Sequence, residues 1–314
     1  MSVFKNMNKL IQSPLNYTGG KYKLLPQLLP LFPKKINTFI DLFCGGGNVG
    51  INIKADSVIY NDISRELIYL YNTFNNLDKE AIFDWIYEII NKYNLSQVSK
   101  YGYSYYGCNS SKGLSEYNKE FYLKLRDDFN NKINVDYYYY VMLYVLIVYS
   151  FNNQIRFNSI GHFNLPVGKR DFNKKMEEKL SLFIETLKRQ NCIFNNKDFR
   201  EYYNYKFNQY DFVYVDPPYL ITCATYNEQG AWNDKDEIEL LQFLDYLDKN
   251  NILFALSNVL ASKGKNNEIL YNWITTNGDK YVTNYLNYSY SNSNYQIKDK
   301  ESNSIEVLIT NFRG

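Results

Sequence analysis

The chain has 314 residues, 45% of them hydrophobic, enough for one large α/β domain or a domain with a sizeable insert. A formal charge of +2 gives no global basic field, so any nucleic-acid surface must be local. One histidine, His162, argues against a Ser-His-Asp triad or a multi-histidine metal site, and four scattered cysteines without a CxxC pair argue against a zinc knuckle or a disulfide framework.

The N-terminal stretch MSVFKNMNKLIQSPL lacks an apolar signal core. Asn16 to Pro33 follows, where Gly19 and Gly20 precede Lys21; a flexible Gly-Gly step before a lysine could bring an ammonium to a carboxylate ligand, or could simply open a helix. TFIDLF, Thr38 to Phe43, reads as a short buried strand running into CGGGNVG. Gly45, Gly47 and Gly50 match GxGxxG after a strand and before an expected helix. SVIYND, Ser57 to Asp62, is a second strand ending on an acid that could take ribose hydroxyls. This pair of features suits a dinucleotide, an adenosyl ligand without pyrophosphate, or a tight turn alone.

A helix with Leu67, Ile68, Tyr71 and Phe74 on one face comes next, then one over about Lys79 to Tyr93, where Ile82, Phe83, Ile86, Ile89 and Ile90 recur with helical spacing. The polar, glycine-dotted stretch Val98 to Asn118 breaks the pattern, which resumes as a helix near Lys119 to Phe129. The apolar run Tyr137 to Phe151 is about 15 residues, short of the roughly 20 that span a bilayer, and reads as a buried helix. Asn152 to Arg170 centres on a Ser159-Ile160-Gly161 turn signal and suggests a hairpin or long loop. Helix and strand alternate again through Lys174 to Gln190, Cys192 to Phe194, the DFVYV strand, Lys235 to Lys249, ILFALSN and IEVLITNF. The expected fold is α/β: a doubly wound, mainly parallel sheet. An inserted, mainly helical module carrying the hairpin is expected over 78–191, with 1–77 and 192–314 forming the main domain.

The stretch DFVYVDPPYL joins fold to chemistry. In a parallel sheet, ligands sit outside the carboxyl ends of the strands, where Asp216 falls. Pro217 and Pro218 lack amide hydrogens, so the ladder stops and the carbonyls of Asp216 and Pro217 are left for the cleft. Tyr219 adds a flat face. Two acceptors and a stacking face suit a planar group with an exocyclic amine, whose lone pair would then aim at an electrophile. No histidine base is needed for such an attack.

NYTGGKYKLL, DLFCGGGNVG, YND and DPPY stand in the order seen in Dam-type (alpha-group) adenine-N6-specific DNA methyltransferases. FYLKLRDDFN, NNQIRFNSIGHFNLPVG, NKDF and FALSN extend the resemblance over about residues 13–312. It implies the S-adenosylmethionine-dependent methyltransferase fold, with S-adenosyl-L-methionine as methyl donor and the target-recognition module between the ribose acid and DPPY. By the same resemblance Tyr17 stacks in place of the usual tryptophan, Lys21 after Gly20 meets the donor's carboxylate, and Phe43 lies along the loop of Gly45 and Gly47. Asp62 then takes the ribose, Asp198 and Phe199 the donor's adenine, and Asp216 stands between donor and target.

A base amine inside a duplex is out of reach, so double-stranded DNA would have to present a flipped adenine against Tyr219. The hairpin is the expected reader. Arg156 can address guanine edges, and Asn152, Asn153, Asn158 and Asn164 adenine edges or phosphates, with His162 a contact at the turn. Lys169, Arg170, Lys174 and Lys175 form a basic run suited to phosphates or a solvated helix start. Arg156 could instead brace the hairpin internally. The rival functions are methylation of cytosine N4 or of an RNA base, and a catalytically silent DNA-binding protein. A companion restriction endonuclease acting separately is compatible with the family. The expected protein is soluble and cytoplasmic, binds no membrane and no metal, and keeps Cys44, Cys108, Cys192 and Cys223 as free thiols.

Overall fold

A computed structural model describes residues 10–222, 232–287 and 304–313. Its strands are β1 (Thr38–Asp41), β2 (Ser57–Asn61), β3 (Cys192–Asn195), β4 (Phe212–Val215), β5 (Leu253–Ser262), β6 (Lys265–Asn266), β7 (Val282–Leu286) and β8 (Ile305–Thr310). Its α-helices are α1 (Leu25–Leu28), α2 (Arg65–Asn76), α3 (Lys79–Lys92), α4 (Val98–Tyr105), α5 (Ser115–Asn130), α6 (Tyr137–Tyr149), α7 (Lys174–Leu187), α8 (Asp234–Lys249) and α9 (Glu268–Asn277). The chain divides into two compact units. One comprises residues 1–22, 45–52 and 65–191, and the other residues 23–44, 53–64 and 192–314.

The second unit holds the sheet, in the order β3-β2-β1-β4-β5-β8-β7, with β6 folded back on β5. The strands β3, β2, β1, β4 and β5 are parallel, and β8 runs antiparallel between β5 and β7. In β1 and β4 every residue is buried, as expected for central parallel strands covered on both faces. On one face Phe32, just past α1, packs on Phe39, Phe212 and Tyr214 with centroids 6.2, 5.0 and 5.5 Å away. On the other, Ile40, Val213, Val215, Phe254 and Leu256 bury against Leu240, Leu244 and Leu247 of α8 and Leu270 of α9. The doubly wound, mainly parallel sheet is the one expected of a methyltransferase of this type.

The first unit is helical. Helix α6 is buried almost all round, opens on Asp136, whose carboxylate accepts from the Tyr139 amide, and contacts α2, α3 and α5. Helix α7 is capped by Asn173, whose side chain accepts from the amides of Lys175 and Met176. Two local readings are corrected. The Val98 to Asn118 stretch, read as a break before a helix near Lys119, holds α4, kinked at Gly102 where φ is +74°, and the first residues of α5, which begins at Ser115. The glycine loop is followed by a single 3₁₀ turn, Gly50–Asn52, in place of an α-helix, because β2 begins at Ser57 and leaves too little chain for one. No helix among the described residues is long and apolar enough to cross a membrane.

Candidate active site

Strand order reverses between β1 and β4, which makes their carboxyl ends the switch point where open α/β sheets bind ligands. Register places the expected residues there. Tyr60 of β2 pairs with Asp41 of β1, and Asp41 with Tyr214 of β4. Two residues further on stand Asp62 and Asp216, each one past its strand end, and Phe43, two past the end of β1. With strands about 4.8 Å apart, the three form a row along the carboxyl edge. The ladder supports it: the amides of Leu42, Cys44 and Asp62 donate to the carbonyls of Tyr214, Asn61 and Asn195.

Asp62 is 7% exposed, and its Oδ1 accepts from the Ser64 amide at 2.9 Å, which turns the chain into α2. Asn196 fixes this corner by donating to the carbonyls of Asp62 and Ile63. Cys44 beside it is no nucleophile: burial first, then the charges of Asp62 and Asp41, push its thiol up, so it stays protonated. Cys44, Cys108 and Cys192 are all free; Cys223 lies outside the described residues.

After β4, Pro217 is buried and Pro218 exposed. The Tyr219 hydroxyl lies 3.0 Å from Asp216 Oδ1 and 3.2 Å from Glu306 Oε1. Beneath them the Tyr214 phenol is pushed up by burial first, then by the charge of Asp216, with Glu306 adding a smaller push. Glu306 was not among the expected site residues; the signal was a lone carboxylate inside the apolar run IEVLIT.

On the β3 side Asp198 caps a 3₁₀ turn, Phe199–Asn204, in a capping box with Glu201. Arg200 grips both Asp198 oxygens at 3.2 and 3.0 Å and also pairs with Asp236 and Glu239. Burial alone would lower the Arg200 pKa, but these carboxylates outweigh it and raise it. Phe43, Phe199 and Trp232 form an aromatic cluster with centroids 5.8 to 5.9 Å apart. Trp232, also unexpected, donates to buried Glu237 at 2.7 Å, which accepts further from Asn258 and Asn267.

Tyr17, Gly20, Lys21, Gly45 and Gly47 belong to the helical unit. Tyr17 lies on the glycine loop: a Cβ on Gly45 would stand 2.9 Å from its ring, and one on Gly46 3.0 Å from its Cβ. Gly45 and Gly47 have φ of +44° and +69°, so the backbone opposes a side chain at both, and at Gly45 the Tyr17 ring opposes it as well. Asn48 ties the loop to the preceding segment by accepting from the Ser13 amide. Lys21 is buried and donates to the Gly19 carbonyl at 2.8 Å.

The expected hairpin is present. Phe157 bridges Phe163 antiparallel, Ser150 bridges Val167, and Asn158 exchanges bonds with Gly161 and His162 around the turn. Helix α5 carries it: Tyr122 and Arg126 donate to the Leu165 carbonyl, and Asn130 bonds both backbone groups of Phe163. Arg156 is exposed and donates from Nε to Asn164 Oδ1 at 2.7 Å, bracing the two arms. Asn153 turns inward, its amide donating to the Val148 carbonyl. Half-buried His162 sits at the turn, and Lys169, Arg170, Lys174 and Lys175 are exposed. Among the described residues no cluster of His, Cys, Asp or Glu could hold a metal.

The family model for D12 class N6 adenine-specific DNA methyltransferases matches residues 17–304. The chain belongs to this family. Relatives include the modification methylase StsI of Streptococcus sanguinis, 39% identical over 310 residues, and the type II methyltransferase M.FokI of Planomicrobium okeanokoites, 40% identical over 311. Each match covers 97% of this chain but 43% of the relative, so the chain spans less than half their length. The DNA adenine methylase of Salmonella typhi is 27% identical over 249 residues, covering 78% of this chain and 79% of that one.

Proposed function

We propose that this D12 family chain transfers a methyl group from S-adenosyl-L-methionine to the N6 amine of an adenine flipped out of duplex DNA. The observation that carries the reading is the row of Phe43, Asp62 and Asp216 at the switch point, with DPPY closing β4. Asp62 suits a ribose diol, two donors to one carboxylate. The Phe43, Phe199 and Trp232 cluster suits an adenine, with Asp198 as the acceptor for its amine. Asp216 and the Pro217 carbonyl accept the two hydrogens of the target amine, which frees its lone pair for the sulfonium methyl. Proximity and orientation would supply most of the acceleration. On the motif resemblance alone, Tyr17 and Lys21 are assigned to the same donor, with Gly20, Gly45 and Gly47 giving the backbone room.

For DNA we assign base reading to the hairpin of Arg156, Asn158, His162 and Asn164, and phosphate contacts to the run from Lys169 to Lys175. Residues 78–191 are proposed as the target-recognition module. The names of the relatives StsI and M.FokI suit a modification enzyme working beside a separate endonuclease. The site is expected to act in the cytoplasm, where donor and DNA meet. The deciding experiment is transfer of labelled methyl from S-adenosyl-L-methionine to duplex DNA with the product nucleoside identified. N6-methyladenine is expected; N4-methylcytosine, or label on RNA alone, would overturn the reading.

A further inference from the structure

The Tyr219 hydroxyl has one proton to donate, and two carboxylate oxygens lie within reach, Asp216 Oδ1 at 3.0 Å and Glu306 Oε1 at 3.2 Å. Tyr219 is 8% exposed and Glu306 only 1%. Glu306 reaches this place because β8 runs antiparallel to β5, so that the start of β8 lies at the carboxyl edge of β4 and β5. It faces Val259 on one side and Leu286 on the other. A carboxylate held among such residues is costly unless it is hydrogen-bonded, and an aliphatic side chain would fill the position without that cost. Its use is therefore to be sought in what it binds.

We propose that Glu306 is a positioning residue for methyl transfer, acting through the Tyr219 hydroxyl. The inference rests on the function proposed above. When the target amine donates to Asp216, the phenol proton that had occupied Oδ1 needs another acceptor, or a buried donor is left unpaired. Glu306 is that acceptor. It lets Asp216 turn to the amine while the Tyr219 ring keeps its place.

The test is single-turnover methylation by the full chain, with donor affinity measured by calorimetry, for the wild type, Glu306→Ala, Glu306→Gln, Tyr219→Phe and the Tyr219→Phe/Glu306→Ala double variant. Wild-type transfer to adenine tests the functional reading, and the ratios between variants test Glu306. Glu306→Ala should slow transfer roughly 10- to 100-fold with donor affinity unchanged. Glu306→Gln keeps an oxygen that accepts the same proton and should stay within about threefold of wild type by that argument. The double variant should be no slower than Tyr219→Phe, because on this proposal Glu306 acts on transfer through that hydroxyl. A wild-type rate in Glu306→Ala, or losses that multiply in the double variant, would overturn the proposal. If Glu306→Ala does not fold, Glu306→Leu fills the volume and answers the same question.

Discussion

Asp216 stands one residue past β4 at the carboxyl edge of the sheet, is only partly buried, and shares the Tyr219 hydroxyl. Removing its carboxylate should therefore spare the fold. Asp216→Ala is expected to lower methyl transfer by roughly a hundredfold or more, the scale for losing one oriented group that stabilises a transition state. DNA binding should largely survive, and turnover within about threefold of wild type would remove Asp216 from the chemistry. Tyr144 tests the core of the helical unit. Its hydroxyl is buried with no hydrogen-bond partner, and its ring packs on Phe74 and Phe172. A buried donor left unpaired costs about 1–3 kcal/mol, so Tyr144→Phe should stabilise the chain by about 1 kcal/mol. A urea midpoint that falls instead would mean the hydroxyl is satisfied. Gly45→Ala should do the opposite, since the new Cβ meets the Tyr17 ring at a φ of +44°.

The hairpin is best judged as one element, since its arms are held from below by α5 and from within by Arg156 and Asn164. The expectation of a base-reading arginine and the alternative of an internal brace meet in one side chain. An exposed hydrogen bond contributes only about 0.5–1.5 kcal/mol, so DNA could replace Asn164 as the partner of Arg156. Arg156→Ala should then reduce preference for the proper site by about 1–3 kcal/mol, read on a panel of single-base site variants. Equal loss on every variant would leave Arg156 as a brace. The neighbouring segment shows how tertiary packing overrides composition. Val98 to Asn118 is polar and glycine-dotted, yet α4 forms, with the Tyr106 hydroxyl accepting from the Gln97 amide and Asp171 accepting from Val98. Burial raises the Asp171 pKa. A raised carboxyl contributes stability at acid pH that is lost as pH rises through its folded value, so this corner should loosen toward neutrality.

For the molecule as a whole, 35 basic residues nearly balance 33 acidic ones, so under the proposed function attraction to DNA would come from a few placed charges. Exposed Lys174 and Lys175, at the start of α7, are the clearest. Replacing both by Gln should weaken binding to all DNA sequences and take about 2 off the slope of log affinity against log salt. An unchanged slope would move the phosphate contacts elsewhere. The salt series also separates this effect from Arg156→Ala, which should change site preference far more than slope.

Local pattern determined the central strands, because a strand buried on both faces must be a continuous apolar run: TFID and FVYV are buried throughout. It also determined the glycine loop, the acids closing β2 and β4, and the hairpin turn, since each is written in neighbouring residues. The half-exposed edge strand β7 and helix α9 carry no such signal and emerged only with the fold. The site's remaining members belong to tertiary structure alone. Glu306 meets Tyr219 across 87 positions, and Trp232 reaches Phe43 and Phe199 from another part of the chain. Such meetings depend on strand order and direction, here a reversed β8 beside β5, and no local periodicity encodes which distant side chains a sheet will bring to one edge.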